Sequence, residues 1–253
     1  MATVDVVLAG FSAGTDQGAL GLGSVLLVRG RNNILVDTGH HGRRRVLEPA
    51  LKSRGLSYGD IHTVVLTHAH WDHVQNVDLF PKARFLIHPA ELKYARSPRP
   101  GDFATAGYFA ATLAGLNVHD AVEGSELEPG VRVIEIPGHS PATIGVLVDT
   151  SDGVAVIASD AFPEAGTVGR GRPYLVFWNE QKARESVRRI IGLGGVIYPG
   201  HDRPFRIRPD GSIQYLPGPT TLTITSGFDE RDVGVGVTIG MEPVRQPWTH
   251  PEA

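Results

Sequence analysis

Three histidines and one aspartate lie within six consecutive residues, His68-Ala69-His70-Trp71-Asp72-His73, just after an apolar run. Imidazole nitrogens and carboxylate oxygens are the usual protein ligands of zinc, iron and manganese. The run at residues 63–67 predicts a buried strand, and a strand that ends in a turn can direct several such side chains to one point. We interpret this motif as half of a two-metal site rather than as a solvated polar loop.

The same arrangement recurs along the chain, because three further short apolar runs lead to His139, Asp160 and His201, each beside a turn residue. With the first motif they give seven candidate metal ligands, which are His68, His70, Asp72, His73, His139, Asp160 and His201. Asp37, after the strand predicted at residues 33–36, is interpreted as a buried partner that orients a ligand, with capping of the next turn as its alternative. A lone histidine at a strand end, His88, is interpreted as structural.

Seven ligands of this kind are enough for two divalent cations, with three ligands for each ion and one bridging carboxylate. This arrangement leaves a coordination position open for a shared water, and two cations lower the pKa of that water towards ~7. The sequence therefore predicts a hydrolytic site in which a bridging hydroxide is the nucleophile. Zinc is the favoured metal, with iron or manganese as alternatives, and Asp37, Asp72 and Asp160 are the candidate catalytic carboxylates.

The amino-acid composition argues against several kinds of binding partner. With 24 Lys and Arg against 27 Asp and Glu, the formal net charge of -3 provides no field that would attract nucleic acid or an anionic membrane. The chain has no cysteine, which excludes disulfides and thiolate metal ligands. The amino terminus lacks a signal-like pattern, and no apolar run approaches the ~20 residues that span a bilayer. We expect a cytoplasmic enzyme with a small-molecule substrate.

A length of 253 residues predicts one domain over residues 1–253, with halves at about 1–125 and 126–253. Glycine-rich residues 10–23 predict a loop, residues 43–54 and 179–191 predict helices, and residues 102–116 predict a loosely helical cover over a pocket. After His201, strands are predicted at residues 205–207, 212–216, 220–226 and 233–239. These strands either complete a sheet or form subunit contacts in a homodimer, and His250 has no assigned role.

From Asp37 through His201 the chain resembles the metallo-β-lactamase superfamily. The motifs that carry the resemblance are Leu35-Val36-Asp37-Thr38-Gly39, the His-x-His-x-Asp-His motif at residues 68–73, Pro137-Gly138-His139-Ser140-Pro141, Ser159-Asp160 and Pro199-Gly200-His201. The resemblance implies an α+β fold, an αββα four-layer sandwich with the site at one edge between two sheets. It also implies His68, His70 and His139 at the first metal and Asp72, His73 and His201 at the second. Asp160 would bridge them, with the buried Asp37 in support.

Quorum-quenching lactonases resemble the chain in size and in all seven ligands, and Ala90-Glu91-Leu92 matches their Glu-containing segment. Their tyrosine three positions after the bridging aspartate is replaced by Pro163, so Tyr108 or Tyr174 is the candidate substitute as a partner of the oxyanion or leaving group. The resemblance implies a dinuclear hydrolase that opens a lactone or another small ester. One ion polarises the carbonyl, the hydroxide attacks, and Asp160 shuttles the proton.

Two other activities stay open. Residues 73–81 and 199–206 also resemble small single-domain members, among them animal members proposed to cut RNA, so a phosphodiesterase or ribonuclease is one alternative. Against it, the chain has scattered arginines but no dense basic stripe; the arginines in question are Arg170, Arg172, Arg203, Arg206 and Arg208. The second alternative is a mononuclear iron oxidoreductase of the persulfide-dioxygenase kind. Trp71 is either packing near the rim or a substrate wall.

Overall fold

The structure is a computed structural model that describes residues 1–225 and 236–240. Packing divides the chain into two compact units, Met1–Leu216 and Pro217–Ala253. All seven candidate ligands lie in the first unit. Within the described residues, no helix is both long enough and apolar enough to cross a membrane.

The first unit alternates short strands with short helices. Its strands are β1 (Thr3–Leu8), β2 (Phe11–Thr15), β3 (Gly18–Leu22), β4 (Val25–Arg29), β5 (Asn33–Val36), β6 (Thr63–Val65), β7 (Arg84–Ile87), β8 (Asn117–Asp120), β9 (Glu126–Glu128), β10 (Val131–Glu135), β11 (Ile144–Thr150), β12 (Gly153–Ser159), β13 (Val196–Pro199), β14 (Phe205–Ile207) and β15 (Ile213–Tyr215). Its helices are α1 (Arg44–Lys52), α2 (Trp71–Val74), α3 (Pro89–Ala95), α4 (Phe109–Thr112), α5 (Thr167–Arg170) and α6 (Glu180–Leu193).

Two sheets organise these strands, in the orders β1-β4-β5-β6-β7-β8 and β15-β14-β13-β12-β11-β10-β9. Strands β5 to β8 are parallel, so β5 and β6 end at the same edge of the first sheet. In the second sheet β12 and β13 are parallel, and β10 runs with them because β10 and β12 are each antiparallel to β11. The turns after β10, β12 and β13 therefore also share one edge.

Alternation along the strands sorts the apolar side chains into layers. In β4, Leu26 and Val28 belong to the core between the sheets, whereas Val25 and Leu27 pack in the core that includes Leu47 of α1. A third cluster packs the outer face of the second sheet against α6. The three apolar clusters lie between four successive layers: helices, the first sheet, the second sheet and a helix. This confirms the predicted αββα sandwich.

Backbone hydrogen bonds join the two sheets at the edge where the strands named above end. The amide of Ile144, at the start of β11, donates to Thr67 O at 2.9 Å, just beyond β6. The amide of Ser24 donates to Gly200 O at 2.7 Å, and the Ser24 hydroxyl donates to Pro199 O at 2.8 Å. These bonds hold the turn after β6 against the start of β11 and the end of β13 against the residue before β4.

The predicted loop at residues 10–23 was wrong, because β2 and β3 pair there as an antiparallel hairpin. Its glycines hid the strand pattern, yet they have a steric reason. A methyl group at Gly21 would overlap the carboxylate of Asp72, and one at Gly23 would overlap the ring of His73. The hairpin therefore lies directly against the first motif. The predicted cover at residues 102–116 is helical only over α4 and forms turns elsewhere.

The strands predicted after His201 divide between the two units. Strands β14 and β15 extend the second sheet, in agreement with the expectation that the strands after His201 complete a sheet. In the second unit, β16 (Thr221–Thr225) and β17 (Gly236–Gly240) form an antiparallel hairpin. Residues 226 and 233–235 of the predicted strands, and His250, lie outside the described residues. The homodimer and the single domain over 1–253 stay predictions.

We expect Leu35→Ala to lower the free energy of unfolding by about 2–5 kcal/mol, because Leu35 is fully buried at the centre of the first sheet and its loss leaves a cavity. Urea unfolding followed by circular dichroism measures this. The control Val122→Ala removes an exposed side chain and is expected to change stability by less than about 0.5 kcal/mol. Equal losses in the two variants would contradict the layer assignment.

Candidate metal centre

The structure brings all seven predicted ligands together at the shared edge of the two sheets, in two buried groups. One group consists of His68, His70, His139 and Asp160, and the other of Asp72, His73 and His201. Within each group, one nitrogen or carboxylate oxygen from each residue lies within 4.8 Å of the others. All seven residues are buried. Asp160 aside, the two groups contain the same residues as the two ligand sets that the resemblance implied.

Asp160 lies between the two groups. Its Oδ2 is 3.4 Å from His139 Nε2 and 3.9 Å from His68 Nε2 in the first group. The same oxygen is 3.2 Å from His201 Nε2, and Oδ1 is 3.3 Å from His73 Nε2 in the second group. One carboxylate thus contacts ring nitrogens from both groups, which is the position expected of a bridge.

The ring nitrogens that face away from the cluster are held by hydrogen bonds, and these bonds set the tautomers. His139 Nδ1 donates to Leu175 O at 2.9 Å, and His201 Nδ1 donates to Phe11 O at 3.2 Å. His73 Nδ1 lies 2.8 Å from Asp37 Oδ2 and donates to it. Because a neutral imidazole has one donor and one acceptor nitrogen, the Nε2 atom of His139 presents its lone pair to the cluster, and the Nε2 atoms of His73 and His201 do so once they lose their protons.

Thr67 sets the tautomer of His68, so that its Nε2 atom also faces the cluster with a lone pair. The Thr67 hydroxyl donates to Asp37 Oδ2 at 2.8 Å, so its oxygen accepts from His68 Nδ1 at 3.0 Å. The Thr67 amide donates to Asp37 Oδ1, also at 2.8 Å. Asp37 therefore supports ligands on both sides of the motif, through His73 directly and through His68 by way of Thr67. The interpretation of Asp37 as an orienting partner agrees with these contacts.

A divalent cation fits the donor atoms that the cluster presents. His68 Nε2, His73 Nε2 and Asp160 Oδ1 are buried and have no hydrogen-bond partner among the described residues. His70 Nδ1 and His139 Nε2 lie 3.0 Å apart. A buried polar atom without a partner costs about 1–3 kcal/mol, so several lone pairs directed at one another are unfavourable without a cation. The nitrogen and oxygen donors suit zinc, iron or manganese.

Burial and charge set the protonation of the cluster. Burial lowers the pKa of His139 to about 4 and holds the pKa of His68 well below its ordinary value, so both stay neutral. Burial also opposes charge on His73, but Asp72 and other carboxylates outweigh it and raise the pKa of His73 well above its usual range. For Asp160, burial favours the neutral acid, but His201 and His73 outweigh it and hold its pKa well below the usual range. The bridge position therefore carries a negative charge.

The backbone is strained at two of the strand ends. Asp37 after β5 has φ 59°, and Ser159 at the end of β12 has φ 43°, in the left-handed region that non-glycine residues avoid. The hydroxyl of Thr67, just beyond β6, lies 2.8 Å from the hydroxyl of Ser159, and this hydrogen bond joins the two sheets. Strain of about 1–3 kcal/mol per residue persists only where the surroundings enforce it. At Gly200 a methyl group would overlap Asp160 Oδ1, which explains the glycine before His201.

The sequence analysis gave no role to two buried carboxylates that lie against the candidate ligands. Asp102 Oδ1 lies 3.7 Å from His70 Nε2, and its carboxylate accepts from the amides of Ala104 and Thr105 and from the Tyr94 hydroxyl. Glu91 accepts from the amide of Ala69, inside the first motif. The only signal for Glu91 was its place in a matching segment. No local pattern marked Asp102 as part of the site, because it approaches His70 only when residues 102–105 fold back onto the motif.

Aromatic side chains border the first group. The ring of Phe177 packs edge-on against His70 at 4.9 Å and His139 at 5.5 Å between centroids, and it contacts Phe103 at 5.1 Å. Phe103 is 69% exposed, so this wall reaches solvent. The Tyr174 hydroxyl is 2.7 Å from Ser12 Oγ, and burial, with Asp160 next, raises the pKa of Tyr174.

The other singled-out residues lie outside the cluster. Tyr108 is exposed and accepts a hydrogen bond from Gln75, and it lines a small pocket together with Trp71. Trp71 packs on His40 at 5.3 Å, which favours the packing interpretation. The structural interpretation of His88 agrees with its contacts, because its Nδ1 caps α3 by accepting from Ala90 N and its Nε2 lies 3.2 Å from Glu135.

Comparisons with known proteins agree with this geometry. The family model of the metallo-beta-lactamase superfamily matches residues 19–201, and the chain belongs to this superfamily. Metallo-beta-lactamase domain-containing protein 1 of Xenopus laevis is 32% identical over 192 residues, which are 76% of this chain and 75% of that protein. The N-acyl homoserine lactonase of Bacillus cereus is 25% identical, over 60% of each chain.

A solved structure gives the same fold. A mutant of AiiA from B. thuringiensis, with N-decanoyl-L-homoserine bound at its active site, superposes with a TM-score of 0.64. It is 20% identical and covers 79% of this chain and 92% of its own. The superfamily and the buried histidine and aspartate cluster together support a metal-dependent hydrolase.

We expect Asp37→Ala to weaken zinc affinity by about 10- to 100-fold, because it removes the acceptor that orients His73 and, through Thr67, His68. Competition with a chromophoric chelator measures the affinity. Asp5→Ala serves as the control, since Asp5 pairs with Arg54 in a partly exposed salt bridge. Unchanged zinc affinity in the Asp37 variant would remove this residue from the site.

Proposed function

We propose that the chain is a dinuclear metal-dependent hydrolase that opens a lactone or a related small ester. The observation that carries this proposal is the position of Asp160, whose two oxygens lie 3.2–3.4 Å from ring nitrogens of both ligand groups. A metal ion with a purely structural role needs one complete set of protein ligands. Two adjoining sets around one carboxylate instead suit two metal ions that act on the same water or substrate.

In this proposal the first ion is held by His68, His70 and His139, and the second by Asp72, His73 and His201. Zinc is the proposed metal, and iron or manganese could occupy the same donors. When bound, two such ions supply Lewis acidity that polarises a carbonyl group and lowers the pKa of water. The tautomer described above prepares His139 for this role, because its Nε2 presents a lone pair without prior loss of a proton. Despite burial, nearby carboxylates raise the pKa of His73 and of His201, so these two rings would lose a proton when an ion binds.

In the proposed reaction, Asp160 transfers a proton from the attacking water to the leaving group. The oxygen of the attacking water bonds to the carbonyl carbon, and the bond between that carbon and the ring oxygen breaks to give a hydroxy acid. Asp160, ionised and central, accepts the proton of the water and returns it to the departing alkoxide. Tyr174 keeps its hydroxyl proton because burial raises its pKa, so it can donate a hydrogen bond to the developing oxyanion.

The aromatic wall supports a substrate with an apolar part. Phe177 touches two residues of the first ligand group, and Phe103 continues the wall to the surface. A group attached to the reacting ester would lie along these rings and displace water from them. The lactonase relative and the acyl-homoserine bound in the structural neighbour are consistent with such a substrate.

Two observations favour this activity over the alternatives. Arg170 pairs with Glu164, and Arg172 lies 3.6 Å from Glu180, so neighbouring carboxylates weaken the positive field that a polyanion such as RNA would need. A mononuclear iron site would need only one of the two ligand groups. The second group is complete and equally buried, which favours two ions.

Zinc-loaded protein is expected to hydrolyse lactones, and Asp160→Asn is expected to lower kcat by at least about 100-fold because the proton carrier is lost. A panel of lactones, thioesters, β-lactams, phosphodiesters and RNA, followed by product release, measures this. Oxygen uptake with a persulfide on iron-loaded protein tests the oxidoreductase. Turnover of RNA or of the persulfide, without turnover of any ester, would overturn the proposal.

Phe103→Ala is expected to raise KM for lactones with long alkyl chains by about 2- to 10-fold, since one aromatic contact is worth about 0.5–1.5 kcal/mol. The KM for an unsubstituted lactone should stay the same, as should kcat. Tyr108→Ala removes a similarly exposed aromatic ring from the pocket beside Trp71 and is the matched control. A loss that is independent of chain length would refute the role of the wall.

A further inference from the structure

Glu91 is a fully buried carboxylate in the first turn of α3, and hydrogen bonds satisfy both of its oxygens. Oε1 accepts from the amide of Ala69 at 3.0 Å. Oε2 accepts from the Ser140 hydroxyl at 2.8 Å and from the amide of Ala142 at 3.0 Å. A buried carboxylate is costly unless donors compensate it, so these three bonds account for its presence in the interior.

The donors belong to the two turns that supply the first ligand group. Ala69 lies between His68 and His70 in the turn after β6, and Ser140 follows His139 in the turn after β10. The two turns come from different sheets, and Glu91 from α3 reaches both. One carboxylate thus links the turn that carries His68 and His70 to the turn that carries His139.

The chain contains a second buried carboxylate of the same construction. Glu128 in β9 accepts from the amides of Arg31 and Asn32 at 3.1 and 3.0 Å and from the Asn32 side chain at 3.4 Å. Arg31 and Asn32 form the turn between β4 and β5, whereas the site lies beyond the other end of β5. Glu128 therefore makes as many bonds as Glu91 at the edge away from the ligands.

We propose that Glu91 is a positioning residue that holds His68, His70 and His139 at the spacing their shared metal requires. Glu91 touches none of the donor atoms, and it acts through the backbone of the two turns. This inference rests on the proposed dinuclear site. Without the carboxylate, the amides of Ala69 and Ala142 would be buried without an acceptor and the turns would separate to reach water.

The test is a zinc titration of the metal-free full chain against a chromophoric chelator, for the wild type, Glu91→Ala, Glu91→Gln and Glu128→Ala. We expect Glu91→Ala to weaken one of the two zinc equivalents by about 10- to 100-fold and to leave the other unchanged. Glu91→Gln keeps one oxygen acceptor and should show a smaller loss. Glu128→Ala should lower the free energy of unfolding and leave both zinc affinities unchanged.

The outcomes separate this inference from the proposed function. Wild-type protein that binds fewer than two equivalents contradicts the dinuclear proposal, whatever the variants do. Two equivalents in the wild type with unchanged affinities in Glu91→Ala overturn the role of Glu91, as does an equal loss at both equivalents or in Glu128→Ala. If Glu91→Ala does not fold, Ser140→Ala removes a single donor, and it must weaken the same equivalent as Glu91→Gln for the inference to stand.

Discussion

The buried charge of Asp160 is the constraint on which the rest of the site depends. Its carboxylate lies 3.2–3.9 Å from four imidazole nitrogens, at the edge where strands of both sheets end. An ion removed from water costs several kcal/mol unless opposite charge compensates it. Neutral His68 and His139 supply none, and a proton shared by His73 or His201 compensates only the second group. Two divalent cations would compensate Asp160 and occupy the remaining lone pairs together.

The fold keeps this arrangement rigid through bonds that cross between elements. Ile144 and Thr67 join the two sheets beside the first motif, and Ser24 joins them beside His201. The hairpin of β2 and β3 closes the cluster from another side, where Phe11 O accepts from His201 Nδ1. Because ligand geometry must be held closely for metal binding, these contacts are as much part of the site as the ligands.

The sequence was sufficient to predict which histidines and aspartates cluster and to predict the layers of the fold, because both have local signals. Each candidate ligand lies in a turn after a short apolar strand, and the alternation within a strand such as β4 determines which side chains face each layer. Other features had no such signal. The glycines of the hairpin at residues 11–22 hide the alternation that marks a strand, and Asp102 and Glu91 acquire their roles only when distant turns meet. Glycine at position 21 resembled a loop residue but is required by close packing on Asp72.

Anomalous diffraction at the zinc absorption edge, from crystals of the zinc-loaded protein, tests the central claim most directly. The account predicts two anomalous peaks, one surrounded by His68, His70 and His139 and the other by Asp72, His73 and His201, with Asp160 in contact with both. A single peak in a fully loaded crystal, or two peaks without Asp160 between them, would contradict it.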